Sequence, residues 1–241
     1  MPLNPYERLA PYYHKKWTAF ARGYVQIIRR LGFSSGELPT SVLDVACGTG
    51  VLAGELSQAG FTVVGMDLSE EMISIAKANY PNINFLVADM RAMRLGMKFD
   101  LITCTFDSLN YITSKNALSD VFVKVGEHLY NDGHFLFDIN TPKLYEDKQK
   151  GTLHHTIDCE EFDQILKYDG MKLLSRTIFQ FSDGTFEEHL QRPYTFSEMQ
   201  ELICKSNFKL ERAFVDEKLH PPEPNSYKIF YLLKKVETGN A

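Results

Sequence analysis

A glycine-rich segment followed by an acidic residue is the part of this sequence whose spacing most clearly predicts chemistry. Residues 48–53 read Gly-Thr-Gly-Val-Leu-Ala and fit the pattern G-x-G-x-x-G/A, and Asp67 follows about 20 residues after the first glycine. Glycines in such a loop let the backbone approach a nucleotide. A carboxylate at this distance accepts hydrogen bonds from the two hydroxyls of a ribose. The pattern predicts a ligand that contains a nucleoside, without identifying which one.

Acidic residues around the loop distinguish two candidate ligands. A dinucleotide would place its pyrophosphate over the loop, where Asp44 in the same turn would repel it. S-adenosylmethionine carries a sulfonium and an ammonium group, which Asp44, Asp67 and Asp89 would attract. Its carboxylate would meet backbone N–H groups at the start of the next helix. The residues favour S-adenosylmethionine, and an NAD-linked oxidoreductase stays open as an alternative.

Short apolar strands alternate with amphipathic helices, and this alternation predicts the elements that position the acids. Strands are expected at residues 41–45, 61–66, 83–88, 100–105, 134–139, 209–215 and 227–233, and helices at 51–59, from Ser69 onward, and at 115–129. The fold class predicted is α/β: a Rossmann-like, doubly wound, mostly parallel seven-stranded sheet with a terminal antiparallel strand. Such sheets bind ligands at the carboxyl ends of their strands, where the three acids lie.

The chain is predicted to have four segments. They are an N-terminal helical lid (1–40), the nucleotide-binding core (41–140), a small antiparallel β insert (141–192) and a C-terminal return to the core (193–241). Hairpin turn signals at 168–171 and 182–185 indicate the insert. A helix over 15–31, ended by Gly32, and prolines ahead of it indicate the lid. An Asn-Asp-Gly turn is expected at 131–133.

Composition excludes several classes of protein. The net charge of −5 argues against a general nucleic-acid binder. No apolar run approaches the ~20 residues that a bilayer span needs, and the N-terminus does not resemble a signal peptide. Four widely spaced cysteines predict reduced, buried thiols, and no third ligand accompanies His154 and His155 at metal-binding spacing. We expect a soluble, cytoplasmic protein without a metal or a membrane partner, either a monomer or a homodimer.

Six segments, in order, resemble the motifs of class I S-adenosylmethionine-dependent methyltransferases. They are VLDVACGTG at 42–50, GMDLSEEMI at 65–73, FLVADMRAM at 85–93, FDLITCTFDSLNYI at 99–112, HLYNDGHFLFDINTP at 128–142 and YTFSEMQELICKSNFKLE at 194–211. The sequence resembles small-molecule methyltransferases of this family, including those that act on amino sugars. It departs from the motifs at Ala46, Asp132 and Asn207, where the family more often has glycine.

The resemblance implies a set of cofactor-binding residues. Asp44 would meet the methionine amino group, Asp67 the ribose hydroxyls and Asp89 the adenine amino group. Leu68 and Met72 would pack on the adenine. The full set is Asp44, Ala46, Cys47, Gly48, Thr49, Gly50, Asp67, Leu68, Met72, Ala88, Asp89, Met90, Thr105 and Phe106.

A second set of residues is expected around the methyl acceptor. The candidate catalytic residues are Tyr13, Asn110 and His189, the last because its ordinary pKa suits a general base. The candidate substrate-binding residues are Tyr12, Trp17, Asp107, Tyr111 and Arg192. Purely structural roles stay open for these residues, since aromatic and charged side chains also anchor helices and loops.

The function predicted is transfer of a methyl group from S-adenosylmethionine to a nitrogen or oxygen of a small molecule. The acceptor would displace the methyl group directly and in line, so alignment and exclusion of water could supply much of the acceleration. Two other functions stay open. One is a non-enzymatic protein that binds S-adenosylmethionine or a partner, and the other is a protein or RNA methyltransferase.

Overall fold

The computed structural model describes residues 1–16, 21–31, 33, 38–148 and 151–236. The strands are β1 Pro2–Leu3, β2 Ser41–Val45, β3 Thr62–Asp67, β4 Asn84–Val87, β5 Phe99–Cys104, β6 Leu129–Asn140, β7 Thr152–Ile157, β8 Glu160–Asp169, β9 Leu174–Phe181, β10 Phe186–Gln191, β11 Phe208–Phe214 and β12 Lys228–Lys235. The helices are α1 Ala10–Lys16, α2 Ala21–Arg30, α3 Val51–Gln58, α4 Glu70–Asn79, α5 Lys115–Glu127, α6 Pro142–Lys148 and α7 Phe196–Cys204, with a 3₁₀ turn at Ser108–Tyr111.

Seven strands form the larger sheet, in the order β11-β12-β6-β5-β2-β3-β4. Strands β4, β3, β2, β5 and β6 are parallel, and the C-terminal strand β12 runs antiparallel between β6 and β11. The chain builds outward from β2, first toward β4 and then toward β6. Its topological switch point therefore lies between β2 and β5. The predicted Rossmann-like fold is confirmed.

Apolar residues cover both faces of this sheet, as a parallel sheet requires. Neighbouring strand residues alternate between the faces: Val42 and Leu101 join one apolar cluster, and Leu43 and Ile102 join the other. Helices α2 and α3 pack on the first face, and α5 and α7 pack on the second. Burial on both sides fixes the register, so the carboxyl ends of β2 to β5 meet at one edge.

A second sheet of five strands, in the order β1-β10-β9-β8-β7, contains the insert. Strands β7 to β10 are successive antiparallel hairpins, with turns close to the two predicted positions. The sequence analysis did not anticipate β1, which pairs in parallel with β10 through Pro2 and Leu3. The N-terminal segment is thus an edge strand of the insert's own sheet.

Two local predictions about the N-terminus and the 131–133 turn are wrong. Helix α1 begins at Ala10, ahead of the expected start, and Pro11 lies in its first turn, where an N–H is not needed. The predicted turn at 131–133 lies inside β6, whose pairing with β5 shifts register there. Asp132, at a φ of 63°, accommodates this irregularity. The predicted helix stop at Gly32 lies outside the described residues.

Surface features add two observations. Cys47 and Cys104 are buried as expected, whereas Cys159 and Cys204 are exposed because they lie in a turn and on the outer side of α7. Among the helices that the structure describes, none combines the length and the apolar character that crossing a bilayer would require.

Candidate active site

A cavity of about 690 Å³ opens at the carboxyl ends of β2 to β5, beside the topological switch point. The loops that follow these four strands form its floor and sides, and the N-terminal segment together with the 3₁₀ turn after β5 forms its remaining wall. Thirteen of the 14 predicted cofactor residues, all except Gly50, line this cavity. Clefts of about 300–1,000 Å³ are typical of small-molecule sites.

Asp44 is the penultimate residue of β2 and lines the cavity at the carboxyl end of that strand. Its Oδ1 accepts a hydrogen bond from the Thr103 hydroxyl at 2.8 Å. Its Oδ2 is buried and has no hydrogen-bond partner among the residues that the structure describes. Burial raises the pKa of Asp44 to about 7. The site therefore contains a desolvated oxygen that a cationic donor would satisfy.

Asp67 ends β3 and holds the glycine loop in place. Its Oδ2 accepts from the Gly48 N–H at 2.8 Å, and its Oδ1 accepts from the Ser69 N–H at 2.9 Å. Burial raises the pKa of Asp67, although these backbone donors oppose the rise. Each oxygen keeps a further lone pair for a ligand, because a carboxylate can accept about four hydrogen bonds.

The glycine loop turns through residues in the left-handed region. Ala46, Gly48 and Gly50 have φ values of 55°, 54° and 77°. A Cβ on Gly50 would lie 2.7 Å from Phe85, so this glycine lets α3 approach β4. Gly50 itself does not line the cavity, and its contact with the cofactor stays a prediction. The neighbouring Thr49 hydroxyl is hydrogen-bonded to Nδ1 of His14, at 2.9 Å.

Asp89 follows β4 and is paired with Arg91, a wall residue that the sequence analysis missed. The Arg91 Nε lies 2.9 Å from both carboxylate oxygens, and its Nη2 lies 2.5 Å from Oδ2. The Arg91 hydrogen bond lowers the pKa of Asp89. Glu70 and Glu71 also line the cavity, so its wall carries five carboxylates against the one guanidinium.

Buried Asp138 fixes the loop that follows β5. This loop holds Phe106 and Asp107 at φ values of 58° and 52°, a conformation that costs about 1–3 kcal/mol per non-glycine residue. Asp138 accepts their two N–H groups at 2.8 and 2.9 Å. It also accepts from the Tyr24 hydroxyl at 2.9 Å and the Lys228 ammonium at 2.6 Å. The sequence signal for the role of Asp138 is the presence of a carboxylate within the apolar run 135–139.

Three tyrosines face the cavity from the acceptor side. Tyr13 and Tyr111 were predicted, and Tyr6 was not. The rings of Tyr6 and Tyr13 meet edge to face, with their centroids 5.6 Å apart. Burial raises the pKa of Tyr13 and, well beyond its usual range, that of Tyr111. Their hydroxyls therefore stay protonated at neutral pH.

His189 and Asn110 lie behind the cavity wall rather than in it. The His189 ring is buried behind two cavity-lining residues, Tyr6 and Tyr111, and the Tyr111 hydroxyl lies 2.8 Å from its Nδ1. The Asn110 amide donates to the backbone oxygens of Asn140 and Arg192, at 3.0 and 2.8 Å. Its own oxygen accepts the Asn140 N–H at 2.9 Å. Asn110 therefore joins the core to the insert, and it is not among the residues that line the cavity.

Three more of the predicted substrate residues do not line the cavity and have partners inside the fold. Tyr12 packs on Phe162, with ring centroids 5.8 Å apart. Asp107 accepts from Lys228 and Gln191, at 3.1 and 2.9 Å. Arg192 pairs with Glu198 at 2.8 Å. Trp17 lies outside the described residues.

Comparisons with known proteins agree with this geometry. A family profile described as a methyltransferase domain matches residues 42–133. A crystal structure of an S-adenosylmethionine-dependent methyltransferase from Clostridium acetobutylicum ATCC 824 superposes with a TM-score of 0.82 at 26% identity, covering 96% of this chain and 99% of that one. YqeM of Bacillus subtilis (strain 168), named as a methyltransferase, is 31% identical over 215 residues, covering 82% of this chain and 85% of that protein. The chain belongs to the S-adenosylmethionine-dependent methyltransferases.

This methyltransferase also resembles enzymes named for amino sugars over part of its length. The dTDP-3-amino-3,6-dideoxy-alpha-D-glucopyranose N,N-dimethyltransferase of Streptomyces fradiae is 36% identical over 93 residues, which are 39% of this chain and 36% of that protein. The predicted family, the enzyme class and the cofactor, S-adenosylmethionine, are confirmed.

Proposed function

We propose that this methyltransferase transfers the methyl group of S-adenosylmethionine to a nitrogen or oxygen of a small molecule within the 690 Å³ cavity. One observation carries the proposal. The cavity has an acidic floor, where Oδ2 of Asp44 has no hydrogen-bond partner among the described residues. It also has a wall of protonated tyrosines, which the N-terminal segment and the 3₁₀ turn supply.

The floor suits the cofactor. Oδ2 of Asp44 would accept from the methionine ammonium, and Asp67 would accept from the ribose hydroxyls. Leu68 and Met72 would pack on the adenine, near Asp89. When bound, the cofactor supplies a methyl group on a sulfonium, open to in-line displacement by an acceptor lone pair. The excess of carboxylates along the cavity would attract the cationic groups of S-adenosylmethionine and would repel the pyrophosphate of NAD.

The wall suits a small acceptor. Asn4, Pro5 and Tyr6 line the cavity together with the glycine loop, and its volume is in the range typical of small-molecule sites. Tyrosine rings favour cationic or amine groups, and their hydroxyls can orient an acceptor. The relatives named for amino sugars support an amine that carries further polar groups.

We also propose that residues 1–40 and the 141–192 insert close the cavity as one cap. Strand β1 belongs to the insert's sheet, and three backbone N–H groups of the N-terminal segment, from Tyr6, Arg8 and Leu9, bond to Glu187 of β10. A cap built in this way would exclude water during transfer and release product when it opens.

A labelled-methyl assay tests the proposal. Full-length protein is incubated with S-adenosylmethionine labelled in its methyl group and with separate panels of nucleotide-linked amino sugars, simple amines, phenols, RNA and protein. We expect label in a small-molecule amine or hydroxyl. Label transferred only to RNA or to protein would contradict the small-molecule proposal and favour the macromolecular alternative.

A further inference from the structure

Four side chains form a continuous hydrogen-bonded chain from the cavity into the insert. The hydroxyls of Tyr6 and Tyr111 lie 2.7 Å apart. The Tyr111 hydroxyl lies 2.8 Å from Nδ1 of His189, and Nε2 of that ring lies 3.1 Å from Glu187 Oε2. Both tyrosines line the cavity, whereas His189 and Glu187 are 2% and 0% exposed. We call these four residues the Tyr–Tyr–His–Glu chain.

Glu187 is held as a carboxylate. Burial would raise its pKa, but the His189 hydrogen bond and the N–H groups of Arg8, Leu9 and Tyr6 hold the pKa below its ordinary value. These N–H groups lie 2.6–2.8 Å from its two oxygens. An ionised carboxylate only accepts hydrogen bonds, so Nε2 of His189 must donate to it.

The remaining hydrogens follow from that donor. In neutral His189 a proton on Nε2 leaves Nδ1 as an acceptor, and the Tyr111 hydroxyl must donate to it. Tyr111 has then used its only hydrogen, so the Tyr6 hydroxyl must donate to Tyr111. This assignment leaves the oxygen of Tyr6, which lines the cavity, with lone pairs that receive no hydrogen from Tyr111.

The protein fixes Tyr6 at this position through its backbone. Its φ of 67° is in the left-handed region, which is costly for a residue with a bulky side chain. The Tyr6 N–H donates to Glu187 at 2.8 Å, so one carboxylate orients both ends of the chain. The Tyr6 ring also meets the His189 ring edge to face, with centroids 4.7 Å apart.

We propose that Tyr6 is the catalytic group that receives the proton of the methyl acceptor, and that Tyr111, His189 and Glu187 position it and carry that proton inward. The proposal rests on small-molecule methyl transfer in this cavity. It selects acceptors that must lose a proton: an amine that becomes an ammonium on methylation, or a hydroxyl.

The proton balance is complete without a further reagent. The acceptor lone pair forms the new bond to the methyl carbon, the sulfur–methyl bond breaks, and the positive charge passes from sulfur to the acceptor. The acceptor then gives its proton to the Tyr6 oxygen, Tyr6 gives its own to Tyr111, and Tyr111 gives its own to Nδ1 of His189. The resulting imidazolium lies against the Glu187 carboxylate.

The direction of the whole chain depends on Nδ1 of His189 acting as an acceptor. With a hydrogen on both ring nitrogens, Nδ1 would donate to Tyr111 and Tyr111 would donate to Tyr6, so Tyr6 would lose the acceptor to which it passes its proton. Outside its own members, the titratable Tyr13 contacts this chain through the Tyr6 ring, and Asp107 acts on Tyr6 electrostatically. Asp107 and Tyr145 act on Tyr111 electrostatically. The uncharged Phe179 ring packs on His189 from β9, centroids 5.0 Å apart.

Two-bond ¹H–¹⁵N NMR of the histidine rings in the full-length protein tests the assignment without an acceptor. His189→Asn identifies the His189 signals. At pH 7.5 we expect a proton on Nε2 and a bare, hydrogen-bonded Nδ1. Tyr111→Phe should move the Nδ1 signal toward that of an unbonded imine nitrogen. Tyr168→Phe is the matched control, because its buried hydroxyl has no hydrogen-bond partner within the described residues. A proton on Nδ1, or an imidazolium that persists to pH 8.5, would overturn the proposal.

Kinetics with the acceptor found by the labelled-methyl assay test the proton transfer. Tyr6→Phe and Tyr111→Phe should each lower kcat about 100-fold at neutral pH, the scale of general-base catalysis, with an unchanged KM for S-adenosylmethionine. Tyr168→Phe should behave as the parent protein. If the parent enzyme transfers methyl groups while both variants keep kcat within twofold, the relay alone is wrong. If the parent enzyme methylates no small molecule, the proposed function fails, and the NMR result still decides the hydrogen assignment.

Discussion

Replacement of Asp67 by asparagine should weaken the binding of S-adenosylmethionine, because it exchanges one carboxylate oxygen in the cavity for an NH₂ group. The carboxylate is buried and already accepts the N–H groups of Gly48 and Ser69, at 2.8 and 2.9 Å. An asparagine keeps one oxygen and turns an NH₂ group toward one of these donors. The variant therefore loses an acceptor for the ligand and also loosens the glycine loop.

The size of the effect follows from the bonds lost. A hydrogen bond to a charged group contributes about 1.5–3 kcal/mol, and each 1.4 kcal/mol is about a tenfold change in affinity. Loss of one bond to a ribose hydroxyl should raise the Kd about 10- to 150-fold. Titration calorimetry with S-adenosylmethionine and with its demethylated product measures the change, and circular dichroism checks that the fold persists.

Asp169→Asn is a matched control for this variant. Asp169 also accepts two backbone N–H groups, from Met171 and Lys172 at 3.0 and 3.1 Å, but it lies at the β8–β9 turn outside the cavity. Its replacement should leave the Kd unchanged. A Kd within twofold of the parent value for Asp67→Asn would refute the reasoning and remove Asp67 from the ribose site.

Three further outcomes are expected. Burial raises the pKa of Asp44 to about 7, so its carboxyl becomes protonated as the pH falls below neutrality. Calorimetry should then show the affinity for S-adenosylmethionine falling by up to about tenfold per pH unit between pH 7 and 5.5. The Asp44→Asn variant should show a smaller pH dependence. Asp138→Ala should lower the free energy of unfolding in urea by about 3–5 kcal/mol, since it leaves the Phe106 and Asp107 N–H groups and Lys228 without this acceptor. Glu201→Ala removes an exposed ion pair with Lys205 and should cost much less; equal losses would contradict the role of Asp138. Deletion of residues 1–9 should lower the Tm by about 5 °C or more, because Glu187 loses three backbone donors. An unchanged Tm would show that this segment does not stabilise the insert.

The sheet and the acidic edge could be predicted because their signals are local in the sequence. The apolar strand Ser41–Val45, the glycine loop and Asp67 lie within one βαβ unit, where periodicity and turn chemistry determine the structure. The turns of the insert were equally local, since each is marked by an Asp-Gly pair.

The acceptor side could be predicted only in part, because its contacts join residues far apart in the chain. Tyr6 and Glu187 are 181 residues apart, and Phe106 and Asp138 are 32 apart. No periodicity links such pairs. His189 was identified from its ordinary pKa, but its separation from the cavity by Tyr111 depends on the pairing of the insert's strands. The partners of Tyr12, Asp107, Asn110 and Arg192 inside the fold could not be predicted for the same reason, and their proposed roles stay predictions.

A crystal structure of the protein with S-adenosylhomocysteine tests the central claim most directly. The account predicts that both ribose hydroxyls donate to Asp67, that the amino group donates to Oδ2 of Asp44, and that the thioether sulfur faces the Tyr6 and Tyr111 hydroxyls. A ligand bound outside the 690 Å³ cavity, or one whose amino group lies away from Asp44, would contradict it.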